Sequence, residues 1–138
     1  MIGDLVLIIL AGLILLGLIF VATKLIQNRK TDLDVEYFTK KWQAAQRLCA
    51  KQDTWPLAII NADKLLDEAL KKLHYKGKTM GERLVSAQRD FSDNDSLWYG
   101  HKLRNRLVHE EVKLKEKDVR DALLGLRQAL RDLGALKK

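Results

Sequence analysis

The sequence predicts an all-α protein: an N-terminal transmembrane helix followed by a small five-helix bundle. Three observations predict it. The run from Leu5 to Thr23 contains no charged residue. The remainder, with a single Pro in the whole chain, shows no apolar–polar alternation long enough for a strand. Its apolar residues recur instead at spacings of three and four, the period of one helix face. At 138 residues the chain has room for one globular domain besides what the N-terminus adds.

The apolar run is about 19 residues, or roughly 28 Å of helix, close to the hydrocarbon thickness of a bilayer. About 14 of its positions are Leu, Ile, Val or Phe, which favours insertion by roughly 4 to 8 kcal/mol. A cleaved secretory signal needs a positive N-terminal region and a shorter apolar core. Here Asp4 precedes the run, and Lys24, Arg29 and Lys30 follow it. The pattern predicts a retained anchor at residues 1–26 and a single-pass protein of the cell membrane. The positive flank places the N-terminus outside and the helical domain in the cytoplasm. Gly12 and Gly17 are five apart and form no GxxxG dimer face. Residues 27–34 are polar and read as a juxtamembrane linker.

Residues 35–138 form the predicted helical domain. Its first helix runs from Val35 to Gln52, with Phe38, Trp42, Ala45, Leu48 and Cys49 on one face. The second opens at Asp53 as N-cap, with Pro56 in its first turn. It carries Trp55, Ile59, Ala62, Leu66, Leu70 and Leu73, and stops before Gly77. Thr79 and Glu82 form a capping-box pattern for a short third helix, whose stripe is Met80, Leu84, Ala87 and Phe91. Ser92 to Asp95 reads as a turn, Ser96 to Glu110 as the fourth helix, and Lys117 to Leu133 as the fifth. Val119, Leu123, Leu126, Leu130 and Leu133 make the fifth amphipathic.

The fourth helix holds the unusual residues. At 100° per residue Tyr99, Leu103 and Leu107 form a core arc with Gly100, Leu97 and Val108. Arg104 projects inside that arc and needs an acidic partner, because an unpaired buried charge is costly. Asp63 and Asp67, one turn apart on the second helix, are the candidates for a structural ion pair. On the opposite side lie Trp98, His101 at the margin, Asn105 and His109. An aromatic beside His and Asn suggests a covered face, and a symmetric partner chain is a natural cover. The plainer alternative stays open: a buried structural arginine, a surface tryptophan, and a C-terminal-turn histidine favoured by the helix dipole.

One cysteine, Cys49, cannot form an internal disulfide and fits a core position. No Cys/His cluster at zinc spacing occurs, and no metal or other cofactor is predicted. The chain carries 25 Lys plus Arg against 18 Asp plus Glu. Lys71, Lys72, Lys76, Lys78 and Arg83 gather around the loop between the second and third helices. Lys102 and Arg106 flank the fourth helix's polar residues as candidate phosphate contacts. Phosphate binding and attraction to an anionic leaflet both account for such charges.

Arg104-Asn105-Arg106-Leu107-Val108-His109 resembles the signature of the HEPN superfamily (higher eukaryote and prokaryote nucleotide-binding domains). That signature is Arg, four to six residues, then His, preferably with Asn directly after the Arg. The helical order is similar too, and the stretch Ala58 to Leu73 resembles the acidic, Leu-rich second helix of bacterial members. The resemblance spans Phe38 to Leu133. It implies a metal-independent endoribonuclease, often a toxin or antiviral effector, acting as a homodimer through the fourth helix. His109 would then be general base or acid at the ribose 2′-OH, Arg104 would stabilise the phosphorane, and Asn105 would orient His109 or the phosphate. RNA and an antitoxin or other protein partner are the implied binding partners. Other members of the superfamily are non-catalytic binding or scaffold modules, a reading the anchor also suits.

Overall fold

The computed structural model describes residues 1–27 and 33–138, and all regular secondary structure among them is helical. Contacts divide the chain into two units, Met1–Thr31 and Asp32–Lys138. The first contains one helix, α1 (Ile2–Gln27). Within it Ile2–Leu25 is a 24-residue segment of mean hydropathy 3.3, about 36 Å long. That is long and apolar enough to cross a membrane. The predicted linker lies largely outside the described residues, as do Arg29 and Lys30.

The second unit begins with Leu33 in its core. Helix α2 (Val35–Arg47) is capped by Asp34, whose carboxylate accepts the Tyr37 N–H at 3.0 Å. Phe38, Trp42 and Ala45 are its buried stripe. The helix was expected to continue to Gln52. It ends at Arg47, and 3-10 turns at Leu48–Ala50 and Gln52–Thr54 follow. Side chains from the next helix's approach take up carbonyls left free there. The Thr54 hydroxyl donates to Leu48 O and Lys51 O, and Trp55 Nε1 donates to Cys49 O at 2.9 Å.

Helix α3 (Trp55–Lys72) is preceded by Thr54, so Asp53 is not its N-cap, and Pro56 occupies its first turn. It runs through the centre of the domain, burying Ala58, Ile59, Ala62, Leu65, Leu66, Ala69 and Leu70. It stops before Gly77, as expected, where His74 adopts the left-handed conformation, φ 62°. The Tyr75 N–H then reaches Leu70 O at 3.1 Å and the His74 N–H reaches Lys71 O at 3.0 Å. These are the paired bonds of a Schellman ending. The final long helix ends the same way, but with Gly134 (φ 79°) at the corresponding position. A Cβ in this conformation costs about 1 kcal/mol or more. His74→Gly is therefore expected to stabilise the domain by roughly 0.5 to 1 kcal/mol, read as a higher urea midpoint at unchanged slope.

Helix α4 (Met80–Ser86) begins where expected: Thr79 Oγ1 accepts the Glu82 N–H at 3.2 Å. Leu84, Ala87 and Phe91 are buried. Helix α5 (Asn94–His109) starts two residues before the predicted Ser96, because Asp93 takes the cap and accepts the Ser96 N–H at 3.0 Å. Helix α6 (Glu116–Asp132) opens with the Asp118 carboxylate accepting the Lys115 N–H at 2.9 Å.

The main core joins α2, α3 and α6 with Leu84, Ala87, Phe91 and Leu97. Two glycines bring α5 and α6 together. A Cβ on Gly100 would stand 3.0 Å from Ala122 O, and one on Gly125 would collide with Ser96 O and Leu97 N. A smaller cluster gathers Ile59, Leu103, Leu114, Val119 and Ala122, with Cys49 half-buried at its margin instead of in the core. Burial pushes the Cys49 thiol up, away from the reactive thiolate.

Candidate functional site

Asp63 lies four residues after Ile59 and next to Ala62, on the buried side of α3, so the helix phase aims its carboxylate into the domain. It is only 1% exposed. Helix α5 packs against this side of α3 and supplies its partners. His101, also buried, places Nδ1 2.9 Å from Asp63 Oδ1. Arg104 Nε stands 3.5 Å from Asp63 Oδ2. Arg104 Nη1 donates to Asn105 Oδ1 at 3.0 Å, and Asn105 Nδ2 lies 3.4 Å from His101 Nε2. The four side chains close a ring: aspartate, histidine, asparagine, arginine and back to aspartate.

One side of the ring is looser than the rest. The Arg104–Asp63 approach is an ion contact, and among the described residues the buried Arg104 Nε–H has no hydrogen-bond partner. Such a group costs about 1 to 3 kcal/mol. The Arg104 side chain remains one-third exposed, so its charge is not sealed from solvent. Burial drives the Asp63 carboxyl above its usual range, opposed by the His101 hydrogen bond and the charge of Arg104. Its protonation linkage therefore favours the fold at acid pH, and that contribution is lost as pH rises through the raised value.

Asp67, one turn on, does not pair with Arg104. It holds Arg83, which is buried: Nε donates to Asp67 Oδ1 at 2.8 Å and Nη2 to Oδ2 at 3.0 Å. Arg83 Nη1 also donates to Gly77 O at 2.8 Å, and Lys71 Nζ lies 3.0 Å from Asp67. These donors hold the Asp67 carboxyl below its usual range, against the opposing effect of burial. Arg83 thus ties α4 to α3 and does not belong to the basic surface predicted around that loop. Lys71 and Lys72 pair with Asp67 and Glu68, while Lys76 and Lys78 are exposed.

The predicted α5 residues therefore separate. Arg104 and Asn105 meet in the ring. His109 is exposed at the last turn of α5, and Lys102 and Arg106 are exposed. Arg106 Nε stands 3.7 Å from Glu110. The buried arc of α5 is Leu97, Gly100, His101 and Leu103. Tyr99 and Val108, assigned to the core from the helical wheel, are exposed. The arc is turned toward His101, which faces Asp63 of α3. Trp98 is half-buried, stands edge-on to His101 with ring centroids 5.7 Å apart, and points its ring tip toward Gly81 of α4. An open cleft of about 380 Å³ lies over the ring between α4 and α5, with Met80, Trp98, Lys102, Arg104 and Asn105 in its wall.

His101 is the site residue that periodicity undervalued. The signal was present on the other helix, where Asp63 interrupts the apolar stripe of Ile59, Ala62 and Leu66 and so requires a donor opposite. Among the described residues, no group of three or more His, Cys, Asp or Glu side chains is placed to hold a metal ion. No protein family, curated protein or solved structure matches the chain.

Proposed function

We propose that the chain is a membrane-tethered HEPN-like domain that binds the phosphodiester backbone of RNA on α5. In this reading it cleaves RNA without a metal when two copies bring Arg104 and His109 together. The supporting observation is the state of Arg104. Asp63 and Asn105 fix its guanidinium, yet a third of the side chain stays exposed at the cleft wall beside Lys102. A planar, permanently charged donor fork held in that way suits phosphate oxygens and developing negative charge. His109, one helical turn beyond Asn105, supplies an accessible imidazole as acid or base.

The test is cleavage of single-stranded RNA by the full chain in detergent, with EDTA present. Wild type is expected to cleave, and His109→Ala to lose about 100-fold or more of the rate while unfolding at the same temperature. A homodimer is expected by light scattering. Intact RNA at stoichiometric enzyme would reject catalysis.

A second reading, a non-catalytic membrane-anchored interaction module, is favoured by a different observation. The ring largely satisfies its own polar groups within one chain, and His109 lies outside it. RNA binding, or no RNA interaction at all, with His109→Ala unchanged from wild type would select this reading.

A further inference from the structure

The hydrogen-bond directions around the ring leave one arrangement of protons. An arginine Nη1 can only donate, so Asn105 must present its carbonyl oxygen to Arg104. Its amide nitrogen then faces His101 Nε2, which must offer a lone pair. The proton of a neutral imidazole is thereby placed on Nδ1, where Asp63 Oδ1 accepts it at 2.9 Å. No side chain in the ring can reverse its sense while the others keep theirs.

We infer that His101 is the positioning residue of the α5 site: its neutral, Nδ1-protonated imidazole transmits the fixed direction of buried Asp63 through the Asn105 amide to the Arg104 guanidinium. If the imidazole carried its proton on Nε2, two donors would face each other across 3.4 Å. Asn105 would have to turn its amide over, presenting its NH2 to Arg104 Nη1, and the arginine would keep only its ion contact with Asp63. The cleft wall opposite contributes Thr79, Met80 and Gly81, none of which carries a charge that would favour the other tautomer. Only the consequence for RNA cleavage rests on the functional proposal above; the tautomer and the coupling to Arg104 do not.

The experiment uses the full chain, labelled with 15N-histidine and 15N-arginine, in lipid nanodiscs near neutral pH. Among His74, His101 and His109, the signal removed by His101→Asn is expected to show a protonated Nδ1 and a bare Nε2. Asn at 101 retains a donor for Asp63 at the place of Nδ1 but cannot extend to Asn105. The Arg104 Nε–H signal is therefore expected to shift and exchange faster with water in His101→Asn, read at a temperature where the variant is still folded. Asn105→Ala breaks the same link from its other side, should move the Arg104 signal likewise, and serves if His101→Asn does not fold. A His101 proton on Nε2, an imidazolium at neutral pH, or an Arg104 signal unmoved in the folded variants overturns the assignment. Where wild type cleaves RNA, His101→Asn is expected to lose about tenfold or more of the rate through misplacement of Arg104. An unchanged rate overturns the assignment as well. If wild type leaves RNA intact, the catalytic reading fails and the spectra alone decide the role of His101.

Discussion

Asp63→Ala is expected to destabilise the helical domain by about 3 kcal/mol. The carboxylate is almost completely buried and serves two groups on another helix, accepting a hydrogen bond from His101 at 2.9 Å and making an ion contact with Arg104 at 3.5 Å. Removing it orphans a buried imidazole N–H and leaves Arg104 without its counter-charge. Loss of one partner from a buried ion pair costs about 3 to 5 kcal/mol. The lower end applies because the one-third exposed Arg104 side chain can turn toward water. Asp63→Asn keeps the shape and one acceptor oxygen, so a smaller loss is expected. Urea unfolding of the full chain in detergent, followed by tryptophan fluorescence, measures both. The pH dependence has a definite sign. Because burial raises the Asp63 carboxyl, wild type gains stability from this group as pH falls through the raised value, and Asp63→Ala cannot. The gap between the two proteins should widen over that interval. Asp67 and Asp132 act with the opposite sign in both proteins, since their carboxyls are held low. A loss below about 1 kcal/mol would mean that water or a rotated Arg104 already replaces the carboxylate.

What could be read from the sequence followed from period and from local chemistry. The uncharged N-terminal run is a helix because length and apolarity leave little else. Thr79 with Glu82, Pro56, and the three-and-four stripes of Phe38–Trp42 and Val119–Leu126–Leu130 act within a turn or two of themselves. Those signals survive without knowledge of neighbours. The ending of α2, and the way in which α3 ends, were less legible. Thr54 and Trp55 reach back to carbonyls near Leu48 and Cys49, and a histidine takes a left-handed position usually given to glycine.

The site was half legible for a related reason. An arginine on an apolar face announces the need for an acid, but not which of Asp63 and Asp67 will supply it. The choice depends on the axial offset between α3 and α5 and on Arg83 arriving from α4 to occupy Asp67. His101 looked marginal on a wheel drawn for α5 alone. His101 is interior because Asp63 of α3 faces it, and Trp98 meets Gly81 of α4, while Arg104 and Asn105 stay partly open at the cleft between α4 and α5. His109, the last residue of α5, is exposed. The same rotation that buries His101 thus separates the polar residues of α5 into a fixed group and a free one, a distinction invisible in a six-residue motif.

Gly125→Ala tests what sets that rotation. A single Cβ at this position would overlap the carbonyl oxygen of Ser96 and press on the Leu97 N–H. Both belong to the first turns of α5, where no side-chain rotamer can relieve the contact, so one helix must move. Overpacking of this kind costs about 1 to 3 kcal/mol, and the upper end is expected where the obstacle is backbone. Ala is a better helix former than Gly by up to about 1 kcal/mol, which offsets part of the loss and leaves a net destabilisation of roughly 2 kcal/mol. Gly100→Ala meets Ala122 O at 3.0 Å and the flexible Leu126 side chain at 3.1 Å, and should cost less. Displacement of α5 also moves His101 and Arg104 relative to Asp63, which stays with α3. The Nδ1–H signal of His101 should therefore shift in Gly125→Ala and change little in an exposed substitution such as Lys102→Ala. Unchanged stability and an unchanged histidine signal in Gly125→Ala would show that α5 can back away from α6 freely, and that the ring is set by α3 alone.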